Sequence, residues 1–228
     1  MENIPRTTLF MISSLDGKIS SGDTDNVDVD QDWRKIKGTK EGLHQYYELE
    51  KRTDVVSFNT GRVMAKIGIN KKQDNPKRIP VTFVLVDNKP HLNKNGLKYL
   101  SSWLKKVYIV TTNKKHPAFK SEENVEVIYY RKTINFIDLF KKLKKEYKVN
   151  RITIQSGGTM NAILFRLGLI DRVSLVIAPI IVGGSTTPTL VDGEAVHSVK
   201  ELGKLKPLKL IKSTKLKHSY LHLIYKVL

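Results

Sequence analysis

Residues 151–171 read Arg151-Ile-Thr-Ile-Gln155-Ser-Gly157-Gly158-Thr159-Met160-Asn-Ala-Ile-Leu-Phe-Arg-Leu-Gly168-Leu-Ile-Asp171, and this stretch decides the fold. Its β-branched opening predicts a strand over 151–155, the glycine pair a turn, and residues 160–167 a short helix stopped by Gly168 in a left-handed conformation. Gly157 and Gly158 let a ligand approach the backbone without obstruction, and Thr159 is suited to cap the helix. The free N–H groups of the first turn then face outward at the carboxyl edge of a sheet, where phosphate binds well. A plain tight turn with no ligand is the competing reading, because many strand-to-helix turns carry glycines.

Working outward, short β-branched runs alternate with helical patterns. Strands are expected at Thr7 to Ile12, Val55 to Asn59, Val81 to Val86, Val107 to Thr111, Val125 to Tyr129 and Val173 to Ile177, with helices at Asp32 to Lys51, Leu97 to Leu104 and Ile134 to Tyr147. That alternation predicts an α/β fold with a mostly parallel, mixed sheet and flanking helices. The end differs. Leu208 to Lys217 and Tyr220 to Val227 are two extended runs parted by His218-Ser219, which predicts a C-terminal antiparallel hairpin. No repeat or linker divides the chain, so one domain spanning 1–228 is the simplest organisation.

Forty basic residues against 22 acidic ones give the 228-residue chain a charge of +18. Such a chain buries about 70 to 75% of its unfolded surface, enough for a substantial core, and global disorder is excluded. The absence of cysteine excludes disulfides, thiolate metal sites and thiol nucleophiles. Residues 1–6 carry Glu2, Asn3 and Pro5 ahead of a short apolar stretch, and no run reaches the roughly 18 apolar residues of a membrane span. A cytoplasmic protein away from membranes is expected. The positive charge attracts phosphates of any origin, but the cations are mainly lysines in pairs, whereas base-edge readers favour arginine forks, so a nucleic-acid partner is not expected. The lysines of the run Lys141-Lys142-Leu143-Lys144-Lys145 cover the wet side of an amphipathic helix.

A second strand-to-helix turn, Thr60-Gly61-Arg62, repeats the logic of the first. Arg62 would offer a bidentate fork suited to a phosphate monoester such as the 2′-phosphate of NADPH, or else simply pack its stem on the surface. Near the amino end, Asp16-Gly17 is ordinary turn chemistry. The following loop concentrates acids and an amide in a basic chain, and Asn26 and Asp28 are its candidate substrate-facing groups. Calcium is discounted there, since the loop lacks the glycine and terminal glutamate of the twelve-residue calcium loop. Ser156 lacks the glycine two residues earlier that a nucleophile elbow needs. His218 and His222 have no further ligand at zinc-like spacing, so no metal is expected. Neither a Walker loop nor a complete G-x-G-x-x-G occurs.

Taken together, Leu15-Asp16-Gly17-Lys18, Thr60-Gly61-Arg62-Val63, Gln155 to Asn161, and Gly168 through Pro179 to Gly184 resemble the RibD C-terminal reductases of riboflavin biosynthesis, a branch of the dihydrofolate-reductase-like fold. The resemblance implies an NADPH-dependent oxidoreductase, usually a homodimer, that transfers hydride to a diamino-ribosylamino-pyrimidinone phosphate or a related heterocycle. Carried over, the backbone at Ile12 would border the nicotinamide, and Gly157, Gly158, Thr159 and Met160 would cradle the pyrophosphate. Thr60, Gly61 and Arg62, with Thr111 and Thr112, would hold the adenosine side. Lys18 would lie near the substrate and assist protonation, with Asp16 as a turn former. Two departures stand out: Gln155 replaces the family's usual glutamate, and Ala65-Lys66-Ile67-Gly68 replaces its usual Asp-Asp-Pro. Gln155 donates and accepts hydrogen bonds but cannot titrate. Reduction of a different pterin or pyrimidine is the alternative activity. A polyanion or nucleic-acid binder on the same fold, without catalysis, is the alternative outside enzymology.

Overall fold

The computed structural model describes residues 3–121 and 123–228. Met1 and Glu2, part of the stretch read above for a leader, lie outside the described residues, as does Glu122. In chain order the strands are β1 (Arg6–Ser13), β2 (Val56–Thr60), β3 (Ile79–Val86), β4 (Leu104–Thr111), β5 (Val125–Tyr129), β6 (Arg151–Ile154), β7 (Arg172–Ile177), β8 (Leu208–Lys215) and β9 (Leu221–Val227). The helices are α1 (Val29–Asp32), α2 (His44–Glu50), α3 (Gly61–Lys66), α4 (Lys94–Trp103), α5 (Phe136–Lys145) and α6 (Gly158–Arg166). The fold is α/β and mostly parallel, as the alternating runs predict.

The chain divides into two compact units, one of residues 1–5 and 54–156, the other of residues 6–53 and 157–228. In the first, the strand order is β5-β4-β3-β2-β6 and the pairings β2–β3, β2–β6, β3–β4 and β4–β5 are all parallel. Both faces are covered, which explains why its strands read as nearly continuous apolar runs. Leu85, Val107 and Ile109 pack with Leu97 and Leu100 of α4 and with Met64 of α3. On the opposite face, Phe58 meets Phe140 of α5 with ring centroids 5.6 Å apart. Three side chains of α5, Leu139, Phe140 and Leu143, are fully buried, each stabilising the unit by about 1.5–3 kcal/mol. Asn135 caps this helix by accepting the Asp138 N–H at 3.0 Å, and its lysines crowd the last turn, where the helix dipole favours cations.

The second unit has the order β1-β7-β9-β8. Strand β1 pairs with β7 in parallel, and the β8–β9 hairpin adds to β7 antiparallel. The hairpin turns where expected, with His218 and Ser219 both left-handed (φ 56° and 63°). Phe10, Ile12 and Val176 form a core with Trp33, Tyr46 and Tyr220, in which Phe10 and Tyr46 stack 3° from parallel. One expectation fails in this unit. The helix predicted over Asp32 to Lys51 breaks into α1, a 3-10 turn at Trp33–Lys35 and α2. Gly38 is left-handed (φ 89°), and the chain there bends around Tyr220, whose hydroxyl donates to the Thr39 carbonyl at 2.7 Å. A Cβ at Gly42 would lie 2.5 Å from the Tyr220 ring. Tertiary packing on that aromatic ring overrides the helical periodicity.

Candidate functional site

In the second unit, α6 opens at Gly157, its N-cap residue, and no side chain caps it. Thr159 is therefore not the cap that its position suggested. It lies inside the first turn and is exposed, and Met160 after it is half-buried. The two glycines have different reasons for being glycine. A Cβ on Gly158 would run into the Asp192 carboxylate and the Thr189 carbonyl, whereas a Cβ on Gly157 would meet nothing within 4 Å. Gly158 serves the fold, and Gly157 leaves its side of the turn open. Uncapped amides beside an open glycine fit an oxyanion.

Asp192 and its neighbours hold that turn from below. Its carboxylate accepts from the Thr189 amide at 3.0 Å and the Thr189 hydroxyl at 2.7 Å, while its own N–H donates to the Gly158 carbonyl at 3.0 Å. Asn161 Nδ2 adds a bond to the Leu190 carbonyl at 2.8 Å. No motif flagged Asp192, because its partner lies 34 residues earlier in the chain.

The Ser14–Lys18 turn, which follows β1, packs against the chain that leads into this loop, Leu15 donating to the Ile180 carbonyl at 2.9 Å and Ile19 to that of Pro188 at 3.0 Å. Asp16 accepts from the amides of Val182 at 3.1 Å and Gly183 at 2.7 Å and from the Ser14 hydroxyl at 2.5 Å. The Ser14 hydroxyl, above all, lowers the Asp16 pKa to about 2, against desolvation and with help from the two amides. Lys18 Nζ donates to the carbonyls of Gly184 at 2.7 Å and Thr187 at 3.0 Å. In the acidic loop, Asn26 is exposed. Asp28 is the N-cap of α1, accepting the Asp30 amide at 2.9 Å while Asp32 returns the favour by accepting the Asp28 amide at 2.7 Å. Ile12 sits beside Val176 in register, its side chain in the core.

In the first unit, Thr60 caps α3 by accepting the Val63 amide at 3.3 Å, and Gly61 lies directly against the Asp87 carboxylate, with no room for a Cβ. Asp87, 1% exposed, is the residue that sequence reading missed. It accepts from the backbone amides of His91 and Leu92, each at 3.1 Å, and from His91 Nδ1 at 2.9 Å. His116 Nε2 reaches it at 3.1 Å. His116 Nδ1 accepts the Ala118 N–H, which keeps the ring proton on Nε2 and aims it at Asp87. Burial pushes the Asp87 carboxyl up, but donation from His116, His91 and Leu92 outweighs it and the net direction is down.

The same residue ties Thr111 into this cluster. The fully buried Thr111 donates its hydroxyl to the Asp87 carbonyl at 2.9 Å, so that side chain is committed to the fold. Thr112 is half-buried, with its amide on Asn88 Oδ1 at 2.9 Å. The structure thus brings together Gly61, Thr111 and Thr112 around the Asp87-Asn88 pair. Arg62 is exposed beside Gly61 and makes interactions of its own. Gln155 is half-buried and accepts from Ser57 Oγ at 3.1 Å. The signal that marks Asp87 in the sequence is a lone carboxylate at the end of an apolar strand, Val84-Leu-Val-Asp87. Among the described residues, no group of three or more acidic or histidine side chains is arranged to hold a metal, and no helix is long and apolar enough to cross a membrane.

Known proteins bear on these features. The family model of the RibD C-terminal domain matches residues 5–221. A 2,5-diamino-6-ribosylamino-4(3H)-pyrimidinone 5′-phosphate reductase from Methanothermobacter thermautotrophicus is 25% identical over 213 residues, covering 88% of this chain and 90% of that protein. Among solved structures, RibD of Acinetobacter baumannii superposes with a TM-score of 0.68 at 16% identity over 99% of this chain, which spans 59% of that one. Dihydrofolate reductase of Enterococcus faecalis superposes with a TM-score of 0.50 at 10% identity, covering 97% of this chain and 96% of that one. The two superpositions carry the fold, which is dihydrofolate-reductase-like. By the extent of the family match and its agreement with the methanogen relative, the chain belongs to the RibD C-terminal domain family, the reductases of riboflavin biosynthesis.

Proposed function

We propose that residues 1–228 act as one NADPH-dependent reductase domain whose substrate is 2,5-diamino-6-ribosylamino-4(3H)-pyrimidinone 5′-phosphate, the compound named for the methanogen relative. The observation that carries the coenzyme reading is the uncapped amino end of α6 beside an unobstructed Gly157. When bound, the reduced nicotinamide supplies a hydride to an electrophilic carbon, and the substrate takes up a proton.

The chain's own groups orient and hold. Gly157, Gly158, Thr159 and Met160 present amides to the pyrophosphate, and the Ile12 backbone borders the nicotinamide. Arg62, following Thr60 and Gly61, takes the 2′-phosphate through a bidentate fork, which favours NADPH over NADH. Thr112 serves the adenosine side, while Thr111 supports it from the core through Asp87. Asn26 and Asp28 belong to the substrate side, as do Lys18 and Gln155. Gln155 contributes hydrogen bonds and no proton inventory.

A cytoplasmic homodimer is part of this proposal. Its support is an apolar face in the second unit, where Leu175, Ile177, Leu210, Leu221, Leu223 and Tyr225 share one side of β7, β9 and β8 by register. Leu210 is 49% exposed and Leu221 38%. Lys209, Lys212 and Lys226 fall on the other side of the sheet, and Lys215, opposite Leu221 at the hairpin end, is the lysine of β8 that shares the apolar side. The bulge between Leu210 and Lys212 disfavours edge-to-edge pairing and leaves face-to-face packing.

The test is a thermal-shift comparison of NADPH, NADH and buffer, followed by NADPH oxidation with the pyrimidine phosphate. Stabilisation by NADPH above NADH, abolished in preference by Arg62→Ala, and turnover of the pyrimidine are expected. An unmoved melting temperature at saturating NADPH overturns the coenzyme, and oxidation only with other pterins or pyrimidines overturns the substrate.

A further inference from the structure

The Ser14–Lys18 turn grips one loop by both polarities of its backbone. The Asp16 carboxylate takes the N–H groups of Val182 and Gly183, and the Lys18 ammonium takes the C=O groups of Gly184 and Thr187. Gly183 and Gly184 are both left-handed (φ 73° and 81°), so this stretch has little intrinsic preference for the observed shape and needs outside contacts to hold it. Backbone bonds flank the grip. Leu15 donates to Ile180 at 2.9 Å, Ile19 to Pro188 at 3.0 Å, and Leu190 to Gly17 at 3.1 Å. Beyond the grip the loop continues to Thr189, Leu190 and Asp192, which hold Gly158 and Asn161 of α6.

We infer that Asp16 and Lys18 are paired positioning residues that set the Val182–Asp192 loop and, through it, the amino end of α6. Two of the three N–H donors of Lys18 are spent on main-chain carbonyls. The pair works as a unit, because the amides held by Asp16, of Val182 and Gly183, and the carbonyls held by Lys18, of Gly184 and Thr187, all lie in the one short stretch 182–187, so releasing either end frees the same segment. Small displacements of a binding turn are costly, since an error of about 1 Å can lower a rate about a hundredfold. This role rests on the coenzyme reading above and deepens it.

The experiment compares Asp16→Asn, Lys18→Met, Lys18→Arg and the double variant Asp16→Asn/Lys18→Met in the full chain. Amide hydrogen exchange over residues 180–192 is read first, without ligand, and then KM for NADPH, kcat and the pH profile of kcat. Faster exchange at Gly183 in both single neutral variants is expected, with KM for NADPH raised by about tenfold and the shape of the kcat profile unchanged. The double variant should be no worse than the poorer single one, because the second loss removes nothing that the first left intact. Arginine at position 18 should restore most of the protection, having donors enough for two carbonyls. Unchanged exchange in Lys18→Met together with a lost basic limb of the pH profile overturns the inference and makes Lys18 a proton donor. If the unaltered protein fails to bind NADPH, the coenzyme reading falls, while the exchange result still decides whether the grip exists.

Discussion

Gly61 and Gly158 begin helices after parallel strands, and each has a carboxylate where a side chain would otherwise sit. The resemblance ends at the carboxylates. Asp87, behind Gly61, is buried and receives two backbone amides and two imidazoles. Asp192, behind Gly158, is half-exposed and receives one amide and one hydroxyl, both from Thr189. One turn rests on a sealed ionic hub, the other on a loop that is itself held from elsewhere. A buried carboxylate with every donor in place resists movement, whereas a loop-borne one can be adjusted by whatever grips the loop.

The largest effect should come from Asp87→Ala, which strands the buried His116 N–H and the Leu92 amide and should cost about 3–5 kcal/mol of unfolding free energy. Asp192→Ala should cost about 1 kcal/mol, because its partners can turn to water. Equal shifts in urea midpoint for the two variants would erase the contrast between the turns. Next in size is the glycine pair. Gly158→Ala forces a Cβ into Asp192 and Thr189 and should cost about 1–3 kcal/mol. Gly157→Ala, with extended backbone and open space, should cost less than about 1 kcal/mol yet remove most of the protection NADPH gives against heat. A Gly157→Ala protein that keeps full NADPH protection would show that the open side of the turn meets no ligand.

Acid should separate the regions more gently. Asp16 has its pKa lowered from 3.8 to about 2, so between those values the unfolded chain binds more protons than the folded one. Its contribution is complete above the unfolded value and is lost as pH falls through the folded value. Asp16→Asn should therefore flatten the fall in stability between pH 4 and pH 2, measured by urea midpoints. A slope identical to that of the unaltered protein would exclude Asp16 as a titrating contributor. The smallest effect belongs to α5, where Lys141→Ala and Lys145→Ala remove exposed charges and should leave stability within about 0.5 kcal/mol. A loss of NADPH affinity in these variants would move the α5 lysines out of the solvated face and into binding.

Local sequence was sufficient for the strands of the first unit, because a parallel sheet covered on both faces demands unbroken β-branched and apolar runs, as in Val81 to Val86 and Val107 to Thr111. The hairpin of β8 and β9 and the glycine turn before α6 were equally legible, since each depends on residues within a few positions of one another. Amphipathic spacing likewise marked α5, whose buried face is Leu139, Phe140 and Leu143. Spacing misled at Asp32 to Lys51, where helical periodicity persisted through a segment that Gly38 and the distant Tyr220 bend apart.

What only the tertiary structure decided is the environment of single side chains. Asp87 is only a lone carboxylate after an apolar strand until His91, Leu92 and His116 converge on it. Nothing in the sequence signals that Lys18 meets the carbonyls of Gly184 and Thr187, 166 and 169 residues away, and Gly158 reads as a ligand-facing glycine until Asp192 fills the space beside it. The physical reason is common to all three. Periodicity and turn propensity are short-range properties written in adjacent residues, while the solvation and partners of a charge are set by groups that the chain brings back from tens of residues away.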